Sequence, residues 1–323
     1  MSDRSGTGIR RACILLLCTA LPMMVQATEI QGHRGARGLL PENTLPAFKR
    51  AIELGVDQLE LDIGMTRDGV PVVHHDRALN PDIARDADGK WLSGPRLLLW
   101  HLQSRALSAF DVGRTRPGSR IAERFPEQEP RDGARVPTLR EILALGRGPG
   151  AEALRFNIEI KLSPLEPDDT ADPTRLVQAT VGVLESEGMS GRATIQSFDW
   201  RIFREVQAQA PEIRTVCLTV ERSWFDTIER GRPGPSPWTA GLDIDAVGGS
   251  APRLVQQAGC AVWSPYFRDL TARTLAEAHG LGLSVVVWTV NDVNDMETMA
   301  TLGVDGLITD YPDRAIRLLR PSQ

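Results

Sequence analysis

Short apolar segments and amphipathic segments alternate along most of this 323-residue chain, and this alternation constrains the fold more than any other feature. In the amphipathic segment that follows the first apolar one, Leu45, Phe48 and Ile52 recur at helical spacing. Strand-like segments begin at Glu29, Gln58, Leu154, Ala193, Arg214, Ala261, Leu283 and Gly306. Strands and helices that alternate in this number predict an α/β protein with a TIM (β/α)8 barrel. A doubly wound open sheet is the alternative, which the absence of a Gly-x-Gly-x-x-Gly fingerprint after the first strand disfavours.

One region interrupts the alternation. Residues 77–135 are rich in proline, glycine, aspartate and arginine, with a single helix expected around Leu97–Phe110. We interpret this region as an insertion after the second strand that covers one end of the barrel. Its apolar content is too low to predict a core of its own. Residues 28–320 are therefore expected to form one barrel domain that contains the insertion.

The first 27 residues have the pattern of a secretory signal peptide. Three arginines precede an apolar run from Ala12 to Val25, and Val25-Gln26-Ala27 is typical of a cleavage site. The run is short for a membrane span, although an uncleaved anchor is the alternative interpretation. Cleavage would remove three arginines and one aspartate, which changes the net charge from −5 to −7. The mature protein is expected to be periplasmic or secreted, without stable membrane insertion.

Charge and cysteine content limit the possible partners. A net charge of −5 argues against a nucleic-acid-binding protein, which would be expected to carry a basic face. Cys217 and Cys260 are the two cysteines outside the predicted signal peptide. An oxidising compartment would permit a disulfide between them, and two buried free thiols are the other interpretation.

Polar residues gather at the carboxyl ends of the predicted strands, where TIM barrels build their active sites. Because side chains alternate along a strand, Glu60 and Asp62 face the same way. Glu159 and Lys161 share a face for the same reason. The candidates at strand ends are His33, Arg34, Glu60, Asp62, Glu159 and Lys161, followed by Gln196 and Ser197 in the fourth strand and Trp288 and Asn291 around the seventh. Of the later ones, Gln196 and Trp288 are the candidates for substrate binding.

Three of these candidates predict a metal site. Buried carboxylates disfavour each other's ionisation unless positive charge lies among them. Glu60, Asp62 and Glu159 would therefore share one divalent cation. Their oxygen atoms favour a hard ion, Ca²⁺ or Mg²⁺. An ordinary solvated strand edge is the alternative interpretation.

Lys161 and Arg34 are the candidate phosphate ligands. The chain has only three lysines among its 37 basic residues, so a lysine within an apolar strand is an unusual choice. Its compact ammonium suits a phosphate oxygen as a point charge. The guanidinium of Arg34 suits an anion through paired hydrogen bonds.

Two histidines are candidates for proton transfer. His33 directly follows the first strand, and His75 ends the hairpin that follows the second. Of the adjacent His74 and His75, alternation favours His75 as the inward one, and Asp76 can orient its ring. Hydrolysis of a phosphodiester needs one group to activate the nucleophile and one to protonate the leaving alcohol, and histidine can do either near neutral pH.

Several motifs between Gly32 and Pro312 together resemble those of the glycerophosphodiester phosphodiesterase family. They read His-Arg-Gly, Pro-Glu-Asn-Thr, Glu-Leu-Asp, a His-Asp after a hairpin, Glu-Ile-Lys, Gln-Ser-Phe, Trp-Thr-Val-Asn and Asp-Gly-Leu-Ile-Thr-Asp-Tyr-Pro. The combination is highly specific, although each motif alone is not. The sequence departs from the resemblance at Arg77–Asp82, where many members carry arginine and threonine after the leucine.

The resemblance implies a TIM barrel with an insertion after the second strand. It also implies metal-dependent hydrolysis of small-molecule glycerophosphodiesters to an alcohol and sn-glycerol 3-phosphate. By the same resemblance, His33 and His75 would be the acid/base pair, and the metal ligands would be Glu60, Asp62 and Glu159. Arg34 and Lys161 would hold the phosphate, and Glu42 would lie near the metal or the glycerol.

Two other functions fit the same residues. One is a phospholipase-type phosphodiesterase that acts on lysolipids or phosphoinositides with the same catalytic set. The other is a non-catalytic periplasmic protein that binds organophosphates, although binding alone needs no pair of histidines for proton transfer. The sequence also leaves open whether water or the glycerol 2-hydroxyl, through a cyclic intermediate, is the nucleophile.

Overall fold

A computed structural model of the protein describes residues 27–320. Within them, eight parallel strands form a closed barrel, which confirms the predicted fold. We number these strands β1 to β8: Glu29–Gly32, Gln58–Met65, Arg155–Ile160, Ala193–Ser197, Arg214–Thr219, Val262–Pro265, Ser284–Val287 and Gly306–Thr309. All but the last residue of the predicted signal peptide lies outside the described residues, and the signal peptide stays a prediction.

The barrel closes at β1, which pairs with β8 on one side and with β2 on the other. At this seam, the amide of His33 donates to the carbonyl of Thr309 over 2.9 Å. Further round the barrel, the register sets Asp62 of β2 opposite Glu159 of β3. The next register sets Glu159 opposite Gln196 of β4. Residues far apart in the chain therefore meet at the carboxyl ends of the strands.

Ten helices occur in residues 27–320, most of them packed around the outside of the barrel. In chain order, α1 to α10 are Leu45–Leu54, Ser104–Leu107, Arg120–Arg124, Leu139–Leu145, Pro173–Ser186, Arg201–Gln209, Ala251–Gln257, Ala272–Gly280, Val293–Leu302 and Pro312–Leu319. Short 3₁₀ turns form at Leu99–His101, Pro167–Asp169, Ser190–Arg192, Pro237–Thr239, Asp245–Val247 and Phe267–Asp269.

Helix α1 illustrates how the sequence fixes an element beside the site. The Thr44 side chain caps the helix by accepting a hydrogen bond from the amide of Ala47. Gly55 ends the helix at a positive φ of 87°, which glycine adopts without a steric penalty. The buried Phe48 packs in the main core and holds α1 against the barrel. The loop that carries the Pro-Glu-Asn-Thr motif is thereby fixed at the mouth.

The insertion after β2 departs from expectation in two ways. The predicted helix around Leu97–Phe110 is wrong, because this stretch holds only the Leu99–His101 turn and the four-residue α2. The expectation that the insertion lacks a core is also wrong. It forms a small separate apolar cluster against the short strand Pro71–Val73, which returns antiparallel to β2. Buried members of this cluster are Val72, Leu79, Ala84, Leu99, Leu107, Val112 and Val136.

The inside of the barrel is divided into a polar half and an apolar half. In the first half, Asn157 of β3 donates to Gln31 of β1 and to Gln196 of β4, both over 2.9 Å. In the second half, one inward residue from each of β5 to β8 forms a separate apolar cluster: Val216, Val262, Val286 and Ile308. Polar groups inside the barrel are therefore supported on the side of β1 to β4.

Cys217 and Cys260 form a disulfide, with Cα atoms 5.9 Å apart. This outcome selects one of the two interpretations that the sequence left open. The bond connects β5 to the residues just before β6, and both cysteines are buried in the main core. Among residues 27–320, no helix combines the length and the apolar character that crossing a bilayer requires.

Candidate active site

His33 extends from the end of β1 and is held by the opposite end of the chain. Its Nδ1 lies 2.5 Å from Oδ1 of Asp310, the residue that follows β8. Asp310 is fully buried, and its other oxygen accepts a hydrogen bond from Asn291 over 2.7 Å. The pair fixes the ring so that Nε2 points to the carboxylates, 3.9 Å from Glu60. One ring nitrogen is thereby positioned and the other is available for chemistry.

The three predicted metal ligands are brought together. Glu60, Asp62 and Glu159 are all buried, and each offers an oxygen within 4.8 Å of the other two. Two oxygens bound to the same Ca²⁺ ion lie at most about 5 Å apart, because each Ca–O bond is about 2.3–2.6 Å long. Asp62 Oδ1 is buried without a hydrogen-bond donor, as expected for an oxygen that binds a cation. The residues present therefore fit a hard divalent ion.

Hydrogen bonds from neighbouring residues orient these carboxylates. The amide of Arg34 and the side chain of Gln196 donate to the two oxygens of Glu60, over 3.0 and 2.8 Å. The side chain of Asn43 donates to Asp62 over 2.8 Å. Arg34 and Asn43 both adopt positive φ values, 51° and 55°, that aim their groups inward. Gln196 thus supports a carboxylate as well as lining the cavity.

Arg34 connects the carboxylate cluster to a second buried ion pair. Its Nε lies 3.1 Å from Asp62, and its Nη1 donates to Glu42 over 2.8 Å. The other oxygen of Glu42 is 2.5 Å from Nε of Arg37. Glu42 is therefore paired with two arginines behind the cavity wall. Through Arg34 it is connected to Asp62, and its expected place near the metal or the glycerol stays a prediction.

Lys161 and Trp288 lie where the sequence predicted, on the wall of one cavity at the mouth of the barrel. The cavity has a volume of about 430 Å³, and both His33 and His75 also line it. Lys161 Nζ donates to Glu159 over 2.7 Å and lies 3.6 Å from Asp62. The Trp288 indole donates to a carbonyl of β6 over 3.0 Å, which fixes the position of the ring at the wall.

His75 reaches the cavity and His74 does not, as alternation along the strand indicated. Nδ1 of His75 lies 2.7 Å from Asp76, which also accepts a hydrogen bond from Asn80. His74 is buried below, where its ring contacts the backbone of the loop that follows. The cavity therefore holds two histidines, each with one ring nitrogen paired to an aspartate.

Burial and mutual repulsion perturb the carboxylates strongly. Burial raises the pKa of Glu60 well above its ordinary value, and the charges of Asp62 and Glu159 raise it further. Burial also raises the pKa of Glu159 to about 7, although Lys161 opposes the shift. Burial would raise the pKa of Asp62, but the surrounding charges, of which that of Arg34 is the largest and that of Lys161 another, together outweigh burial and hold the pKa well below its usual range. A bound cation would stabilise all three in the ionised form.

The two histidines are held neutral at neutral pH. Burial lowers the pKa of His33, and the charge of Asp310 partly opposes this shift. Burial, with the charges of Arg34 and Lys161, lowers the pKa of His75 to about 4. A neutral imidazole beside an aspartate can accept a proton, and the aspartate then stabilises the imidazolium.

The family of the protein follows from comparison with known proteins. A model of the Glycerophosphoryl diester phosphodiesterase family matches residues 33–314, which include every site residue described above. The chain belongs to this family. The match confirms the predicted family and, with it, the prediction of an enzyme of the phosphodiester-hydrolase class.

Individual relatives agree with this assignment. The chain is 28% identical over 298 residues to a glycerophosphodiester phosphodiesterase of Caldanaerobacter subterraneus subsp. tengcongensis, a match that covers 91% of this chain and 98% of the relative. A crystal structure from Silicibacter pomeroyi DSS-3, whose name assigns it to the same family, is 38% identical. It has a TM-score of 0.80 and covers 91% of this chain and 93% of that one.

A more distant structure is a phosphodiesterase of Oleispira antarctica in complex with the product sn-glycerol-3-phosphate. It is 19% identical, with a TM-score of 0.65 and coverage of 91% of this chain and 97% of that one. At this identity the likeness shows the shared fold alone.

Three residues at the centre of this family member's site were not predicted. Asp310 lies in the closing motif of the sequence, but no local pattern pairs it with a histidine 277 positions earlier. Arg37 precedes the Pro-Glu-Asn-Thr motif and Asn43 lies within it, and only the fold shows their carboxylate partners. A buried aspartate directly after the last strand is a signal that could have identified Asp310.

Replacing Asp310 with asparagine should lower the pKa of His33 further. The carboxylate at present opposes the effect of burial, so its removal takes away charge that stabilises the imidazolium. A pH titration of the ring by NMR measures this shift, and the resonance of His75 in the same spectrum is the internal control. An unchanged pKa for His33 would contradict the pairing.

Proposed function

We propose that the protein hydrolyses glycerophosphodiesters to an alcohol and sn-glycerol 3-phosphate, with a divalent cation and two histidines. The observation that carries this proposal is the meeting of His33, His75 and three carboxylates at one mouth of the barrel. Binding alone would not require two histidines that each have an aspartate partner. The pairing of proton-transfer groups with a candidate metal site is what phosphodiester hydrolysis requires.

The relatives support the choice of substrate. The similar protein of Caldanaerobacter subterraneus is named a glycerophosphodiester phosphodiesterase, and the chain covers nearly all of its length. The Oleispira antarctica structure holds sn-glycerol-3-phosphate as product. The cavity of this protein, about 430 Å³ in volume, is large enough for a glycerol and a phosphate.

The charges of the cavity fit a phosphodiester anion. Glu60, Asp62 and Glu159 would hold Ca²⁺ or Mg²⁺, which when bound supplies positive charge for the phosphoryl oxygens as the transition state forms. Lys161 lies on the cavity wall beside this cluster, so its ammonium can contact a phosphate oxygen. Arg34 keeps its charge because its acidic partners raise its pKa despite burial.

The histidines would transfer the protons. One, as the neutral imidazole, accepts the proton of the nucleophile. The other must first take up a proton to become the imidazolium that its aspartate stabilises, and it donates this proton to the oxygen of the alcohol as the bond from that oxygen to phosphorus breaks. Both rings direct Nε2 away from an aspartate bound at Nδ1, so both can serve at the cavity. His33 follows β1 and His75 follows the short strand that returns along β2, and both rings line the same cavity.

Alanine at either His33 or His75 should lower kcat by about 10²–10⁴, because each variant loses one proton-transfer group. Steady-state kinetics on glycerophosphodiesters measure the loss, and thermal unfolding verifies that the fold is intact. His279→Ala is a matched control, since this histidine is also paired with an aspartate but is exposed on α8. Near-normal turnover in either site variant would refute the role of that histidine.

A better leaving group separates the two roles. A glycerophosphodiester of nitrophenol needs no proton on its leaving oxygen, so the variant that lacks the general acid should recover most of its rate. The variant that lacks the general base should stay slow. Equal recovery of both variants would contradict a division of labour between the histidines.

Glu60→Gln should raise the metal concentration needed for half-maximal activity by at least about tenfold, because it removes one anionic ligand. A second measurement is independent of turnover. Metal at a hundredfold excess over its Kd should stabilise the unsubstituted protein by about 2.7 kcal/mol, and the variant should need more metal for the same effect. Glu53→Gln, an exposed carboxylate on α1, is the control. If neither a chelator nor added metal changed the activity or the stability of the protein, the metal site would be overturned.

We propose a periplasmic or secreted location. The arginines and apolar run at the N-terminus support it, as does a disulfide between two buried cysteines, a bond that persists in oxidising compartments. Expression of the full chain in bacteria, followed by fractionation and mass spectrometry, should yield a periplasmic protein that begins at residue 28 and contains no free thiol. Recovery in the cytoplasm with an intact N-terminus would contradict the proposal.

A further inference from the structure

A second cleft adjoins the catalytic cavity and opens on its β2 side. Its volume is about 530 Å³. His75, Lys161, Phe198, Trp224 and Trp288 line both spaces, so the cleft and the cavity are continuous. A group in this cleft would lie against the histidine proposed to transfer a proton. It could therefore belong to the substrate molecule whose phosphate occupies the cavity.

One wall of the cleft is aromatic. Phe198 is 5.3 Å from both Phe225 and Trp288, centroid to centroid, and Phe225 is 5.1 Å from Trp238. These rings meet edge to face and form one continuous surface. Trp224 adds the outer rim, where 63% of its surface is exposed. An exposed tryptophan of this size at the edge of a functional cleft is typical of a contact with an apolar ligand.

The opposite wall is aliphatic. It consists of Ala78, Leu79 and Pro81 from the insertion, together with Leu162 after β3. Leu79 belongs to the separate core of the insertion, so its position is fixed by packing. The cleft thus has apolar walls on two sides and is bounded by elements that the fold holds in place.

The charged residues around the cleft already have partners. Arg77 and Arg96 both pair with Asp169, at 3.2 and 2.8 Å. Lys161 donates to Glu159 over 2.7 Å. A polar headgroup that entered the cleft would have to exchange its hydration for these apolar walls without a new ion pair, which is unfavourable.

We propose that this cleft binds an apolar arm of the substrate, so that the enzyme prefers phosphodiesters in which one ester arm carries an alkyl or acyl chain. This inference rests on the proposed function and deepens it by naming the substrate class. Water supplies the new oxygen on phosphorus, the bond from phosphorus to the alcohol oxygen breaks, and the alcohol leaves with a proton. The chain binds in the cleft and takes no part in the reaction.

The charge around the cleft favours a neutral arm over a cationic one. Aromatic walls can also hold a quaternary ammonium through cation–π contacts. Here, however, the three basic residues of the lining, Arg77, Arg96 and Lys161, outnumber its two acidic ones, Asp76 and Glu159, so the lining offers a cation no net attraction. A neutral chain gains the contact with the rings without giving up the hydration of a charge.

A series of glycerophospho-n-alkyl esters with ethyl, butyl, hexyl and octyl alcohols tests the proposal. Each buried methylene should raise kcat/KM by up to about fourfold, with a gain of at least about tenfold from ethyl to hexyl. Lysophosphatidylcholines with acyl chains of increasing length test a chain on the glycerol arm instead. A length dependence in either series supports the proposal and identifies the arm, whereas a flat response in both overturns it.

A matched pair of substrates isolates the effect of charge. Glycerophosphocholine and the glycerophosphodiester of 3,3-dimethylbutanol have the same shape, and only the first carries a positive charge. The proposal predicts a higher kcat/KM for the neutral ester. A preference for choline would identify the aromatic wall as a cation site and exclude a chain on the leaving alcohol, so that only a length dependence among the lysophosphatidylcholines could then support the proposal.

Trp224→Ala should reduce the ratio of kcat/KM for the octyl ester to that for the ethyl ester by about tenfold, because it removes the outer part of the aromatic wall. Trp91→Ala is the control, since Trp91 lies in the insertion away from both spaces and should leave the ratio unchanged. An unchanged ratio in Trp224→Ala would contradict a chain in the cleft. Failure of the proposed function is distinct, because no ester of any length would then be hydrolysed.

Discussion

Repulsion among three buried carboxylates is the constraint on which the rest of the site depends. Glu60, Asp62 and Glu159 meet within 4.8 Å, where water cannot separate their charges. Such a cluster is unstable unless positive charge enters it. Arg34 and Lys161 supply part of that charge, and the raised pKa values of Glu60 and Glu159 show that they do not supply all of it. A divalent ion is the simplest source of the remaining positive charge.

The division of the barrel interior into a polar and an apolar half follows from the need to support these carboxylates. The amides of Gln31, Asn157 and Gln196 form a hydrogen-bonded series that ends at Glu60. Because each amide has a partner, the polar interior of β1 to β4 is satisfied, and it orients the carboxylate from below. The strands β5 to β8 support no carboxylate of this cluster, and valine and isoleucine side chains form the apolar cluster in their half.

Strand order and the main site residues could be predicted because they depend on local patterns. The predicted first residues Leu154, Ala261 and Leu283 each lie one position before the observed strand. Alternation along a strand was enough to bring Glu60 and Asp62 to one face, and a common barrel mouth was enough to add Glu159. These inferences need no knowledge of how distant segments pack.

What the sequence did not reveal depends on contacts between distant segments. The insertion is held by charge pairs without periodicity, such as Arg85 with Asp111 at 2.7 Å and with Asp132 at 2.6 Å, so no helical or strand pattern predicts its path. Glu42 lies in a motif that marks it as a site residue, but only the fold shows the two arginines that pair with it. An ion pair is specified by the fold around it, whereas an alternating strand is specified by its own residues.

The His33–Asp310 pair shows why closure of the barrel matters for chemistry. The two residues follow the first and the last strand, and the parallel pairing of β1 with β8 brings them within 2.5 Å. The proposed proton-transfer group is thereby held by both ends of the fold, so that the pair forms only when the barrel has closed. The same closure buries Asp310, where contact with His33, the charge of Arg37 and the hydrogen bond from Asn291 outweigh burial and keep its pKa well below the ordinary value. In the proposed reaction, an ionised aspartate at this point would allow His33 to carry a positive charge.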